Sequence, residues 1–411
     1  MKKLLYTIAA FCITGSSMAQ MDQEIFLKAR MAGTVTMHDS TEISIMYFKE
    51  NSILGGPNLP SPTLYMTEGD SVKIDLHNLS QGAPHTVHLH GLDVDQQNDG
   101  VPHLSFEVWH MEHGQYYFKA PHPGTYIYHC HVVSTVHVQA GMYGMIVVRP
   151  SGNQNETWNG GYTFDSEQTW LTSEVDPFWH SEEFINTDHD STMMQFQLPP
   201  LNPEYFLING LSEGQLVDNS TAINIDKGEV RYMHIAAIGN YMNEIVFPED
   251  LNAKIISSDG RPLDPAIDSD TLRLTPGERY GVLLSPTVDI NTNATVSFVD
   301  LNTQLVTSTQ EIPVLAQWHI GIGENQNWNL SVYPNPSAEI FTISGTSDVS
   351  GDLKVELCDV QGRAISPSKY QTSFGDEINL NLGDLPNATY LVKLIRNGKL
   401  IHTDWLTKFS N

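Results

Sequence analysis

Two short histidine-rich runs constrain this chain more than any other feature of its 411 residues. The first is HTVHLHG at 85–91, and the second is YHCHVVSTVHVQAGMYG at 128–144. Successive side chains of a β-strand point to opposite faces, so histidines at alternate positions share one face. Both runs are therefore predicted to be strands that gather imidazoles on one side of a sheet.

The parity of the positions sorts the polar side chains of these runs into two sets. One face of the strand pair would carry His88, His90, His129 and His131. The opposite face, with the loop that returns to it after the second run, would carry His85, Cys130, His137 and Met142. Only one strand would separate the two sets, because Cys130 is bonded to both His129 and His131.

The set that contains the cysteine has the chemistry of an electron-transfer copper site. Two imidazoles, one thiolate and a weak axial thioether are the donors of a type 1 copper centre. Zinc also binds cysteine and histidine, but structural zinc sites favour tetrahedral sets without methionine. The four-histidine face would be a second copper site, since imidazole suits copper, with a polar edge of incidental histidines as the alternative. Copper is the predicted cofactor.

The first residues have the form of a secretory signal peptide over 1–19. MKKLLYTIAAFCITGSSMAQ combines two lysines, an apolar run and a small-residue end. That run is too short to span a bilayer, and no later segment is long enough, so no membrane span is predicted. Exported proteins usually pair their cysteines, yet Cys130 and Cys358 lie in different predicted domains. An unpaired Cys130 between histidines favours metal ligation.

The charge balance excludes one class of partner. The chain has 21 basic and 48 acidic residues, which gives a formal net charge of −27. Such a surface repels phosphate backbones, so nucleic acid is not expected to bind. Small cations and uncharged reductants remain compatible with it.

Short strand-like segments joined by turn residues continue through the chain, and they predict an all-β protein. A faint repeat supports two copies of one β-sandwich. EGDSVKIDL at 68–76 matches KGEVRYMHI at 227–235, and HGQYYF at 113–118 matches PGERYGVL at 276–283. The predicted domains are a copper-binding sandwich at 20–150, a second sandwich without copper ligands at 151–325, and a small sandwich at 329–411.

Residues 60–149 resemble the copper-bearing cupredoxin domain of multicopper oxidases. The similarity is carried by HTVHLHG, NDGVPH at 98–103, GTYIYHCHV at 124–132 and HVQAGMYG at 137–144. The resemblance implies that the cysteine-containing set holds type 1 copper. It also implies that the four histidines of the other face form half of a trinuclear type 2/type 3 cluster that reduces oxygen.

The rest of the chain resembles two further domains. Residues 160–320 are similar to the copper-free cupredoxin domain of the same family, through YFLING, SSDGRPLDP and LTPGERYGVLL. Residues 329–411 resemble the C-terminal sorting domain of the Bacteroidota type IX secretion system, through VYPNPS and LCDVQGR. The expected architecture is two cupredoxin-like Greek-key β-sandwiches and a small sorting sandwich. The resemblance also implies secretion or cell-surface display, with the secretion machinery as a partner.

One departure from the family affects the predicted assembly. A trinuclear cluster of this family takes two sets of four histidines from two domains. The remaining candidates lie scattered, without a His-x-His pair: His180, His189, His234 and His319. We therefore expect a homo-oligomer in which two or more chains each contribute four histidines, for example across a two-fold axis.

The expected function is that of a secreted oxidase that takes electrons from a small reductant and passes them to dioxygen. The reductant would approach an exposed edge of His85 or His137. A non-enzymatic type 1 copper electron carrier is one alternative, and a copper nitrite reductase-like enzyme is another. The resemblance speaks against the reductase, which has Asp where His88 stands and a residue other than His at position 131. Phenols, cuprous ion and ferrous ion all remain possible reductants.

Overall fold

The computed structural model describes residues 21–50, 56–185 and 198–317, and residues 331–409 apart from short gaps. The predicted signal peptide, His189 and His319 lie outside these described residues. The chain forms two compact units, one ending at Gln317 and the other beginning at Trp318. Within the described ranges, no helix is long and apolar enough to cross a membrane.

The first sandwich of the larger unit is built from two four-stranded sheets. Its elements are β1 (Gln23–Thr36), β2 (Glu42–Glu50), β3 (Leu64–Thr67), β4 (Ser71–Asn78), β5 (His88–His90), β6 (His113–Lys119), β7 (Gly124–His129), α1 (Ser134–Gln139) and β8 (Tyr143–Arg149). One sheet has the order β2-β1-β4-β6, and the other has the order β3-β8-β7-β5. Alternating side chains such as Ile74, Tyr116 and Ile146 fill the core between them.

The second sandwich follows in the same unit. Its elements are β9 (Ser166–Val175), α2 (Glu182–Ile185), β10 (Tyr205–Ile208), β11 (Ile223–Asp226), β12 (Arg231–Ala237), β13 (Met242–Val246), β14 (Lys254–Ser258), β15 (Arg261–Asp268), β16 (Thr271–Leu274), β17 (Arg279–Leu284), β18 (Ile290–Val299) and β19 (Val306–Gln317). The sheets have the orders β10-β9-β12-β17-β14-β15 and β11-β19-β18-β13-β16. Short 3-10 helices occur at Gln96–Asn98, Pro177–His180, Glu213–Val217 and Glu249–Leu251.

The segments that match in sequence occupy equivalent places in the two sandwiches. Strand β4 lies parallel to β1 and antiparallel to β6. Strand β12, which carries the matching sequence, lies parallel to β9 and antiparallel to β17. The faint sequence repeat therefore coincides with a repeated arrangement of strands.

An apolar layer joins the two sandwiches into one unit. From the first sandwich it contains Ile45, Ile127 and Tyr143, and from the second it contains Leu171 and Leu207. All five side chains are buried. Because this layer is as apolar as a domain core, it holds the two sandwiches in a fixed relation.

The smaller unit contains two sheets of its own. Its strands are β20 (Ser331–Tyr333), β21 (Ile340–Ser344), β22 (Leu353–Cys358), β23 (Gln371–Thr372), β24 (Glu377–Asn381), β25 (Thr389–Arg396) and β26 (Lys399–Thr407). They pair in the orders β20-β21-β24 and β23-β22-β25-β26 around a core that includes Phe341 and Val392. The all-β prediction is confirmed. The domain boundaries near residues 150 and 325 stay predictions, since the contacts separate the chain only after Gln317.

Candidate metal centres

The two histidine runs meet on neighbouring strands of one sheet. His88 on β5 is paired directly with His129 on β7. The two strands are shorter than the sequence predicts. Strand β5 has three residues, and β7 ends at His129. Backbone bonds still hold the flanking residues in line: the Cys130 N–H donates to the Met142 carbonyl at 3.0 Å.

The first donor set gathers around the Cys130 thiol. The His137 Nδ1 lies 3.2 Å from the Cys130 Sγ, and the His85 Nδ1 lies 3.5 Å from it. The two imidazole centroids are 4.8 Å apart. Met142 is fully buried in the same core, and its N–H donates to the His137 carbonyl at 3.0 Å. One thiol and two Nδ1 atoms therefore converge on a single point.

His137 lies on the helix α1, so the prediction of a plain loop after Cys130 is wrong in this detail. Val133 precedes the helix with a left-handed backbone, φ 41°. Gly141 follows the helix and has φ +112°. A Cβ at this position would lie 2.8 Å from the Met46 carbonyl oxygen. A short helix closed by a glycine thus brings His137 and Met142 back to the thiol.

The first set is closed to solvent. His85 and Cys130 have 0% exposure and His137 has 4%. The expected exposed edge of His85 or His137 is therefore wrong, because both residues are buried. Burial, with a smaller effect of the His137 charge, holds the pKa of His85 well below its usual range. Burial raises the pKa of the Cys130 thiol to about 11.

The second set lies on the other side of the same strand pair. The donor nitrogens of His88, His90 and His129 lie within 4.8 Å of one another. The ring of His131 is 5.1 Å from that of His88 and 5.9 Å from that of His129, measured between centroids. The structure therefore brings three of these imidazoles into one cluster with the fourth beside it.

Backbone carbonyls orient two of these rings. The His88 Nδ1 lies 2.7 Å from the Asp99 carbonyl oxygen, and the His129 Nδ1 lies 3.0 Å from the Cys130 carbonyl oxygen. A carbonyl only accepts, so both Nδ1 atoms must carry the proton and donate. The Nε2 atoms of both rings are then left as lone-pair donors for a metal.

Two imidazoles of the second set, those of His90 and His129, are neutral at physiological pH. Burial lowers the pKa of His90 to about 4, with the Arg279 charge as the next cause. Burial lowers the pKa of His129 to about 3, against an opposing hydrogen bond to the Cys130 backbone. Neutral imidazole is the form that binds metal, so these two rings can bind a cation without first losing protons.

The second set opens into a cavity of about 250 Å³. His90 and His129 line it from the first sandwich, and the facing wall comes from the second sandwich. That wall comprises Ser173, Glu174, Ile238, Gly239, Asn240, Pro276 and Gly277. Among the described residues of the wall there is no histidine, so the part of the second sandwich that the structure describes supplies none of the four further imidazoles that a trinuclear cluster requires.

The other two candidate histidines among the described residues, His180 and His234, make polar contacts outside both donor sets. The His180 Nδ1 bonds the Ser44 carbonyl at 2.6 Å. The His234 Nδ1 lies 2.7 Å from the Thr125 Oγ1, and its Nε2 lies 3.4 Å from a Glu167 carboxylate oxygen. Both rings are buried in these contacts.

Two residues near the second set were missed by reasoning from the sequence. Asp99, within NDGVPH, orients the His88 ring through the Asp99 backbone carbonyl. A pattern of side chains in the sequence does not predict such a backbone contact. Glu174 is the one charged residue in the run TWLTSEV, and that contrast was the available signal. Burial raises the pKa of Glu174 to about 7, although the Asn240 and Tyr241 N–H groups favour its charged form.

Comparison with known proteins identifies the segments that carry these features. Two sequence models described as multicopper oxidase match residues 37–153 and 174–304, together more than half of the chain. A third, described as a secretion system C-terminal sorting domain, matches residues 331–406. The predicted resemblance to both families is confirmed.

Curated relatives cover part of this chain. Laccase 1 of Metarhizium robertsii is 31% identical over 169 residues, which are 38% of this chain and 26% of the relative. Laccase-1 of Fomitopsis schrenkii is 24% identical over 275 residues, 63% of this chain and 47% of the relative. Copper resistance protein A of Pseudomonas syringae pv. tomato is 27% identical over 281 residues, which are 59% of this chain and 43% of the relative. The chain spans less than half the length of each.

Solved structures share the fold. A blue copper oxidase from Nitrosomonas europaea superposes with a TM-score of 0.56 at 24% identity, covering 74% of this chain and 88% of that one. A copper nitrite reductase from the same organism superposes with a TM-score of 0.52 at 18% identity, covering 72% of this chain and 93% of that one. These matches confirm the cupredoxin-like sandwich architecture, and the family matches confirm copper as the cofactor. The first matched segment carries both histidine clusters, and the second lines the cavity beside one of them. This chain belongs to the multicopper oxidase family.

Proposed function

We propose that this chain is an exported copper-dependent oxidase that moves electrons from a small reductant to dioxygen. In this proposal His85, Cys130, His137 and Met142 hold type 1 copper. His88, His90, His129 and His131 hold the chain's share of a type 2/type 3 cluster. The observation that carries the proposal is the pair of donor sets placed back to back, with Cys130 in one set covalently joined to His129 in the other.

The spacing of the first set suits one metal ion. Metal–nitrogen bonds are about 2.0 Å long and metal–sulfur bonds about 2.3 Å. A nitrogen and a sulfur atom that bind the same ion therefore lie less than about 4 Å apart. The Cys130 Sγ lies 3.2 Å and 3.5 Å from the two imidazole nitrogens. When bound, copper supplies one-electron redox chemistry at this set and oxygen reduction at the other.

The chain's own residues prepare both sites. The dry surroundings of Cys130 exclude water from the thiolate that a metal would create, and the fixed rings limit rearrangement. Between the sets, the bonded path runs from the Cys130 side chain through one peptide unit to the His129 ring. The His129 Nδ1, 3.0 Å from the Cys130 carbonyl oxygen, adds a hydrogen-bonded route.

Completion of the second set requires a partner. The described wall of the cavity supplies no imidazole, and the family's cluster takes two sets of four. We infer that two or more copies of the chain associate so that each contributes one set, which makes the active form a homo-oligomer. Dioxygen would be the electron acceptor, and phenols, cuprous ion and ferrous ion all stay possible reductants.

The C-terminal unit directs the chain out of the cell. Its match to a secretion sorting domain supports secretion or cell-surface export, with the secretion machinery as a partner. We infer that the N-terminal segment 1–19 is a signal peptide that acts before this step. The mature protein would then work where oxygen and extracellular reductants are available.

The decisive experiment counts copper per chain together with solution mass and oxygen consumption. We expect more than one copper per chain, an oligomer, a blue absorption band and reductant-dependent oxygen uptake. A carrier would instead bind one copper and consume no oxygen. A monomer with full oxidase activity would overturn the proposed assembly.

A further inference from the structure

Two further histidines stack on each other in the sheet of the first sandwich that carries neither donor set. His77 on β4 and His113 on β6 are directly opposite each other in the sheet with the order β2-β1-β4-β6. Their rings are nearly parallel, with an interplanar angle of 17° and 4.1 Å between the centroids. Leu76 and Tyr116 of the same strands fill the core, so the two histidines, which have the opposite parity, face outward.

Asp75 fixes the orientation of one of these rings. The His113 Nδ1 lies 2.6 Å from the Asp75 Oδ1, and the Gln115 Nε2 donates to the Asp75 Oδ2 at 2.9 Å. Burial raises the pKa of Asp75, but the hydrogen bonds from His113 and Gln115 outweigh it and hold that pKa below its usual value. An ionised carboxylate only accepts, so the His113 Nδ1 carries the proton and the Nε2 is left with the lone pair. A carboxylate behind one ring nitrogen is the usual support of a metal-binding histidine.

The second ring is also held in the form that binds metal. Burial lowers the pKa of His77, with the charge of His113 as the next cause. The charges of Lys28, which is paired with His77 across β1 and β4, and of Arg30 act in the same direction, and Asp75 opposes them. Two nitrogens that bind the same ion lie at most about 4 Å apart, which is close to the separation of the two stacked rings.

We propose that His77 and His113 form a third metal site, at the surface, for a divalent transition-metal ion. Imidazole suits both zinc and copper, and Cu(II) binds nitrogen donors most tightly of the two. Asp75 is the positioning residue of this site, and water fills the remaining coordination positions. Because the protein supplies only two ligands and two cationic side chains lie nearby, the ion should bind more weakly than in the buried sets and should exchange. The proposal is independent of the oxidase function.

Titration of the full chain with Cu(II) tests the site. The wild type should bind one Cu(II) more per chain than His77→Gln or His113→Gln, and the difference between their EPR spectra should show a type 2 signal coupled to two imidazole nitrogens. A brief wash with a chelator should remove this ion and leave the more tightly bound copper in place. His122→Gln is the matched control, since His122 is also exposed and bonds the Asp93 carboxylate at 3.0 Å. It should bind as much copper as the wild type.

Equal copper binding by the wild type and both histidine variants would overturn the third site. Because the two donor sets lie on the other sheet, both variants should keep the blue band and oxygen uptake of the wild type, which also shows that they are folded. Failure of the wild type to consume oxygen would overturn the oxidase proposal, while the copper difference between wild type and variants would still decide on the third site.

Asp75→Asn tests the positioning role separately. This variant should keep the blue band but bind the additional Cu(II) about 10- to 100-fold more weakly, the usual cost of changing a group that orients a metal-binding histidine. Asp93→Asn removes the carboxylate beside His122 and should leave the affinity for this ion unchanged. Wild-type affinity in Asp75→Asn would overturn the positioning role of Asp75.

Discussion

The two donor sets share a strand but differ in almost every physical respect. The set around Cys130 is buried, and the helix that carries His137 packs through Val136 against Trp179 and Phe184. In the second set, His90 and His129 line a cavity whose other wall belongs to the second sandwich. A site that only passes electrons gains from rigidity and exclusion of water, whereas a site that binds a small molecule and protons needs space. The contrast therefore supports the different tasks that we propose for the two sides of one strand.

The largest effect is expected from removing the thiol of the closed set. Cys130→Ser should abolish the blue absorption and the turnover together, because a hydroxyl does not replace the thiolate donor. Cys358→Ser is the matched control, since it removes the other buried free thiol of the described chain. Absorbance spectra and oxygen uptake check both variants. Oxidation of a generic electron donor that survives Cys130→Ser would contradict the assigned site.

Removing one imidazole of the open set should separate the two sites. His88→Ala is expected to keep the blue band and anaerobic reduction by the donor, while oxygen uptake falls by 10²-fold or more, on the order of the loss of an electrostatic catalytic contact. Copper analysis should show a loss confined to the second site. The exposed His122, which bonds Asp93 on the surface, provides a control in His122→Ala. Loss of the blue band in His88→Ala would show that the sites are not independent.

The open set should also make the copper-free protein sensitive to acid. The folded pKa of His90 is about 4, below the usual 6.5, so the folded state binds fewer protons than the unfolded chain between these values. The free energy of unfolding should therefore fall as pH drops from 6.5 to 4, by about 3 kcal/mol at most for this residue. Urea unfolding at several pH values measures it. His90→Gln should flatten the slope, and an unchanged slope would contradict the neutral, buried ring.

The smallest effect is expected where the second sandwich touches the open set. Gly277 has φ +90°, and a Cβ there would lie 3.2 Å from the His90 ring. Gly277→Ala should cost about 1–2 kcal/mol of stability through the left-handed backbone and should lower oxygen uptake modestly by shifting His90. Gly228→Ala, with φ +90° and no atom near the added Cβ, is the control for backbone strain alone. Equal oxygen uptake in the two variants would show that Gly277 does not position His90.

The sequence predicted some parts of this molecule better than others, for reasons visible in particular residues. Alternation in HTVHLHG and YHCH reports directly on the faces of a strand, so the grouping of the histidines followed from parity alone. The helix that carries His137 was not predicted, because six residues with two β-branched valines give no helical pattern. His85 is buried and forms a β-bridge with Val108, more than twenty residues away, and no local pattern encodes such a long-range pairing.

By itself the sequence determined which donor atoms this protein owns and which of them share a side of a strand, since side-chain chemistry and strand periodicity are local properties. Only the tertiary structure decided that one set is sealed and the other faces a cavity with Glu174 in its far wall. The cavity wall faces the open set because the two sandwiches pack through their shared apolar layer, and Gly239 approaches the Glu174 carboxyl group because β12 pairs with β9 inside the second sandwich. Distances between segments remote in the chain are fixed by packing, and packing is a property of the whole folded unit.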